Sequence, residues 1–129
     1  MAKAGIDFNA ADIAAQAERA SQADLDTLPY GVIKLDRRGV VKFYSATEAR
    51  LSGYGVQPLG RNLFDISQCP SREDLRARIM GAIEAGVPGS APVDMELAWL
   101  GDLSNPKREM RIRVQSARDG GVWMFIDRD

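Results

Sequence analysis

The chain has 129 residues, 45% of them hydrophobic, with 17 basic against 18 acidic side chains, the size and make-up of one globular domain. A formal net charge of −1 gives no overall pull toward nucleic acid or anionic membrane, and no apolar stretch is long enough to cross a bilayer. Histidine is absent and cysteine occurs once, which excludes histidine-based nucleophile pairs, imidazole metal ligation, histidine phosphorylation and an internal disulfide. The N-terminus carries no secretion signal pattern, so a cytoplasmic location is expected.

In chain order, the alanine-rich run from Asn9 to Ala20 predicts a short helix with Asn9 as N-cap and Asp12 in its first turn. A further turn is expected from Asp24 to Leu28, and Pro29 ends that region. Tyr30 to Leu35 and Val40 to Tyr44 predict two strands, joined by Asp36-Arg37-Arg38-Gly39, whose terminal glycine suits a tight hairpin. Ala46 to Ser52 predicts a short helix stopped by Gly53. Gly53 to Pro58 reads as loop, and Asn62 to Ile66 as another short helical piece.

The strongest helical pattern follows. Ser71 and Asp74 make a start similar to a capping box, Leu75, Ile79 and Ile83 recur at helical spacing, and Gly86 with Pro88 closes the element. Beyond it, Val93, Met95, Leu97 and Trp99 alternate with their neighbours. So do Met110, Ile112 and Val114 with Arg111, Arg113 and Gln115, the pattern of a half-buried strand. Val122 to Ile126 is apolar on both faces and therefore expected to be central. Gly101 to Lys107 and Asp119-Gly120-Gly121 are the connecting turns. Arg108, Arg111, Arg113 and Arg118 are expected on a solvated sheet face, partly balanced by Asp94 and Glu96 across strands.

A hairpin, a helical crossover and a three-strand meander make an α+β domain: a five-stranded antiparallel sheet with helices packed mainly on one face. This is the element order of a PAS domain, a fold used mainly for sensing. The expected division is an N-terminal helical cap over residues 1–28 and a PAS core over 29–129.

Few residues are equipped for chemistry. Tyr44, Glu48 and Ser52 stand four apart, and Cys69 lies just before the longest predicted helix. Taken singly, Cys69 reads as a small buried apolar side chain, Glu48 as a solvated helix residue and Tyr44 as a strand-end aromatic.

Several stretches together carry more. They are Leu25-Asp26-x-Leu28-x-Tyr30-Gly31-Val32-Ile33-x-Leu35-Asp36, then Tyr44-x-x-x-Glu48-x-x-x-Ser52-Gly53, then Leu59-Gly60-x-Asn62-x-Phe64, the single Cys69, and the closing Val122-Trp123-Met124-Phe125-Ile126. Over nearly its whole length the chain resembles the photoactive yellow protein family of blue-light-sensing PAS domains. The resemblance implies a photoreceptor and not an enzyme. It implies 4-hydroxycinnamic acid (p-coumaric acid) held as a thioester on Cys69, with Tyr44 and Glu48 hydrogen-bonded to the chromophore's phenolate oxygen. Ser52 stands where the family commonly has threonine. Tyr54 stands where it usually has a ring-shielding arginine, and Gln68 where a proline often precedes the cysteine. Phe64, Trp99 and Trp123 are candidates to line the pocket.

In this picture Tyr44 donates through its hydroxyl, whereas Glu48 donates only when protonated, a state that burial beside an anion favours. Light-driven trans–cis isomerisation is expected to be followed by proton transfer from Glu48, leaving a carboxylate buried without its partner. That costs several kcal/mol against a domain stability of roughly 5–15 kcal/mol, so partial unfolding becomes the signal. The cap is the piece expected to detach, because terminal segments open most easily. A downstream signalling protein is implied, neither nucleic acid nor membrane is expected as a partner, and the domain is expected to be a monomer or weak dimer. Two other classes stay open: a PAS sensor of another ligand, such as haem held by the Cys69 thiolate, and a chromophore-free PAS interaction module.

Overall fold

Five strands, β1 (Gly31–Leu35), β2 (Val41–Tyr44), β3 (Asp94–Leu100), β4 (Glu109–Ser116) and β5 (Val122–Arg128), form a single antiparallel sheet in the order β2-β1-β5-β4-β3. The structure, a computed structural model, describes residues 6–51, 58–66, 72–86, 93–100 and 109–128. Its helices are α1 (Ile13–Arg19), α2 (Gln22–Asp26), α3 (Ala46–Leu51), α4 (Leu63–Ile66) and α5 (Arg72–Ala85).

Strand residues point alternately to the two faces, and β1, β2 and β5 each feed two separate cores. Ile33 and Leu35 of β1, Ile112 and Val114 of β4, and Met124 and Ile126 of β5 pack with Ala49 of α3, Leu63 and Phe64 of α4, and Leu75, Ile79 and Ile83 of α5. Val32, Trp123 and Phe125 face the other way, against Ile6, Phe8, Ile13, Ala17, Leu25 and Leu28. Helices α3, α4 and α5 thus cover one face, and the segment ahead of β1 covers the other. The central position of β5 explains why it is apolar on both sides.

That second face is where sequence expectation needs correction. Arg113 is not solvated: it is 7% exposed, and its Nη1 donates to the carbonyls of Phe8 at 2.8 Å and Ala10 at 2.7 Å while Nη2 reaches Asp94 Oδ1 at 3.2 Å. Gln115 donates from Nε2 to the carbonyl of Ala11 and accepts at Oε1 from the N–H of Ala14, both at 2.9 Å. These bonds also shift the start of the first helix. Asp12 is its N-cap but makes no side-chain capping bond. Gln115, about a hundred residues away in sequence, satisfies the N–H of Ala14 in the first turn instead. Asn9 donates its N–H to Asp7 Oδ1 in a local turn, and α1 begins four residues later. Arg111 is exposed as expected, pairing with Glu96 at 3.0 Å; Arg118 is exposed too, and Arg108 lies outside the described residues.

The Gly-x-Asn-x-Phe stretch turns out to be a stitch. Asn62 donates from Nδ2 to the carbonyl of Arg38 at 2.9 Å and accepts at Oδ1 from the N–H of Phe64 at 3.0 Å. It thereby fastens α4 to the β1–β2 turn, where Gly39 takes a φ of 86° that a side chain would strain.

Candidate functional site

Helix α3 starts from a local sequence signal. Ser45 Oγ accepts from the N–H of Glu48 and from the N–H of Val32, each at 3.1 Å, so one hydroxyl caps the helix and ties it to β1. Ser45-x-x-Glu48 is the spacing of a capping box, but only its first half forms. The N–H of Ser45 donates to the carbonyl of Val32 at 2.9 Å. The Glu48 side chain, freed from the reciprocal bond, extends over the sheet instead.

Its destination is set by a glycine and a cation. A Cβ on Gly31 would overlap Glu48 Oε1, so the first residue of β1 must lack a side chain for the carboxylate to lie there. Arg128, at the end of β5, holds that carboxylate with both prongs: Nη1 to Oε1 at 2.7 Å and Nη2 to Oε2 at 2.8 Å. The two side chains are each 4% exposed. A guanidinium fork on both carboxylate oxygens, shielded from water, favours the ionised form of Glu48.

Register fixes what surrounds the pair. One cross-strand row runs Tyr44, Ile33, Met124, Val114, Met95; the next runs Gly31, Ile126, Ile112, Leu97; the third runs Arg128, Met110, Trp99. Glu48 sits above the second row, between the Tyr44 row and the Arg128 row. A buried phenol, a buried carboxylate and a buried guanidinium therefore occupy one end of one sheet face, beside Ile126 and Met110. Among the described residues no group of three or more Cys, Asp or Glu is placed to hold a metal ion, and no helix is long and apolar enough to cross a membrane.

No family model matches the chain. It is 26% identical to the photoactive yellow protein of Rhodothalassium salexigens over 126 residues, 95% of this chain and 97% of that one. The PAS domain of the histidine kinase ThkA, 22% identical with a TM-score of 0.55 over 76% of this chain and 97% of that one, shares the fold. The photoactive yellow protein domain of the sensor histidine kinase Ppr from Rhodospirillum centenum matches more fully, at 28% identity and a TM-score of 0.67 over 85% of this chain and 94% of that one. The fold is that of a PAS domain, and the chain is similar to photoactive yellow proteins along nearly its whole length.

The expected site residues divide into four groups. Tyr44 and Glu48 are brought to the same end of the sheet, both buried. Phe64 and Trp123 are buried elsewhere: the Phe64 ring lies under the β1–β2 turn, near Gly39 and Met80, at the opposite end of the hairpin from Glu48, and Trp123 faces the other core. Trp99 is placed by backbone register alone, opposite Met110. Ser52, Tyr54 and Cys69 lie outside the described residues. Sequence reading missed Arg128, and with it the fact that a carboxylate on Glu48 has a partner in this fold. The signal was present: β5 continues two residues past Ile126, and alternation from Met124 through Ile126 puts Arg128 on the α3 face.

Proposed function

We propose that this domain is a blue-light photoreceptor whose chromophore is a 4-hydroxycinnamoyl group in thioester linkage to Cys69. What carries the reading is the joint burial of Tyr44 and Glu48 at one end of the α3 face, in a chain similar to photoactive yellow proteins along nearly its full length. The residues present fit such a group. Tyr44 offers a hydroxyl and Glu48 a carboxyl that donates when protonated, the pair of donors a desolvated phenolate needs. Ile126 and Met110 give that end an apolar floor. The chromophore, when bound, supplies absorption of light and isomerisation about its double bond.

The protein's part is to hold and move one proton. Tyr44 stays a donor throughout, and Glu48 holds the mobile proton in the dark and releases it after illumination. Consequences reach the N-terminal segment through α3. Thr47, adjacent to Glu48, donates from Oγ1 to the carbonyls of Asp26 at 3.0 Å and Leu28 at 2.7 Å. Asp26 Oδ1 in turn accepts from the N–H of Ala46 at 2.7 Å. A shift of α3 accordingly strains the C-terminal end of α2, and a downstream signalling protein would read the loosened cap. The test is incubation of the purified protein with an activated ester of 4-hydroxycinnamic acid, with Cys69→Ala as control. Wild type should acquire a visible band that bleaches under blue light and returns in the dark. A colourless wild type, or equal colour in the Cys69→Ala protein, contradicts the proposal.

A further inference from the structure

We propose that Arg128 is the counter-ion that decides where the proton of this site resides, pairing with Glu48 whenever Glu48 is ionised. The proposal deepens the photoreceptor reading and rests on it for its second half. The observation is the bidentate pair itself, two bonds of 2.7 and 2.8 Å between side chains that are each 4% exposed. A proton on Glu48 would oppose one prong of the guanidinium, because arginine has only donors to offer. The geometry is thus that of a Glu48 carboxylate.

Among the described residues, the ionisable groups that flank the pair on neighbouring elements are not cations. Tyr44 of β2 comes to the same end of the sheet as a neutral phenol. Asp26 of α2 is engaged with the N–H of Ala46, and Asp127 precedes Arg128 on β5, where alternation sends it to the other face.

One proton and one cation then serve two anionic positions. With a phenolate bound in the dark, the proton is on Glu48 and its bonds to Arg128 are released, leaving the guanidinium to balance the phenolate. When Glu48 gives up its proton, the Glu48 O–H bond breaks and a phenol O–H bond forms. The negative charge moves to Glu48, where both prongs of Arg128 are already positioned to receive it. Net charge is conserved, and no proton from solvent is required. Arg128 is a positioning residue in this scheme, and the buried carboxylate of the lit state is compensated and not abandoned.

Infrared spectroscopy of the pigment-free protein, with carbon-13 in the glutamate carboxyls, tests the first half at neutral pH. Wild type should show no protonated carboxyl band assignable to Glu48. Arg128→Gln should gain one, which disappears in Arg128→Gln with Glu48→Gln, and Arg128→Lys should restore the carboxylate. A protonated band in wild type that Glu48→Gln removes overturns the proposal, as does an Arg128→Gln spectrum identical to wild type. Arg128→Lys and Glu48→Gln supply the comparison if Arg128→Gln fails to fold, since wild type against Glu48→Gln alone decides whether Glu48 is ionised. For pigment-loaded protein, dark recovery of Arg128→Gln should be faster than wild type by roughly tenfold, because the lit-state carboxylate loses its counter-ion; equal rates overturn the exchange. Failure of pigment to attach at Cys69 would end the photoreceptor reading while leaving the infrared result on Arg128 to stand or fall separately.

Discussion

Gly31 and Glu48 share one space: the carboxylate of the helix residue lies where a side chain on the strand residue would project. This relationship explains why β1 opens with glycine and why the Glu48 side chain reaches Arg128 instead of turning back to cap its own helix. Gly31→Ala should push the carboxylate off Arg128 and destabilise the domain by about 1–3 kcal/mol, the usual cost of overpacking. Urea denaturation measures it. An unchanged midpoint would mean that Glu48 does not occupy that space in solution.

Glu48→Ala should be costlier, because it leaves a guanidinium buried without its carboxylate. About 3–5 kcal/mol is expected from breaking one side of a buried pair. Replacing both residues together, Glu48→Met with Arg128→Met, should recover most of that loss, since burying two apolar side chains avoids both desolvation costs. If the double variant is as unstable as the sum of the single ones, the two residues are not paired as described.

Gln115→Ala should loosen the N-terminal segment without disturbing the sheet. Both of its bonds, to Ala11 and Ala14, go to that segment, and losing a capping acceptor costs about 1 kcal/mol. Hydrogen exchange should rise in residues 6–20 and stay unchanged in β1 and β5. A uniform rise across the chain would show that the segment and the sheet unfold together.

Alkaline pH offers a separate probe of the same segment. The Tyr30 hydroxyl donates to the carbonyl of Ile6 at 2.9 Å, and burial first, then the charge of Asp7, pushes its pKa up to about 12. A folded-state pKa above the unfolded value near 10 contributes stability that is complete below that value and is lost as pH rises toward the folded one. Stability should therefore fall between about pH 10 and 12, and Tyr30→Phe should flatten that part of the profile. A Tyr30→Phe profile that matches wild type there would assign the loss to other groups.

Most of the fold was legible in the sequence because alternation and helical spacing are local. The strands, the β1–β2 hairpin and α5 follow from side-chain periodicity, and the apolar character of β5 correctly marked it as central. What escaped was long-range and polar. Nothing near Asn9 announces that Arg113 and Gln115 will take the carbonyls of Phe8, Ala10 and Ala11 and so move the start of α1. The cations on β4 alternate as a solvated face should, and only the packing of the N-terminal segment over them reveals Arg113 as buried. Of the site, the Tyr44–Glu48 spacing was visible, while the Ser45-x-x-Glu48 signal was present but not read. Arg128 was not read as part of it, since its role depends on a strand-end residue meeting a helix eighty positions earlier.

The most direct test of the photoreceptor account is mass spectrometry of the peptide containing Cys69 after incubation with activated 4-hydroxycinnamic acid. The account predicts one hydroxycinnamoyl group in thioester linkage on that sulfur, released by mild base, in protein that also bleaches under blue light. An unmodified Cys69 in folded protein would contradict it.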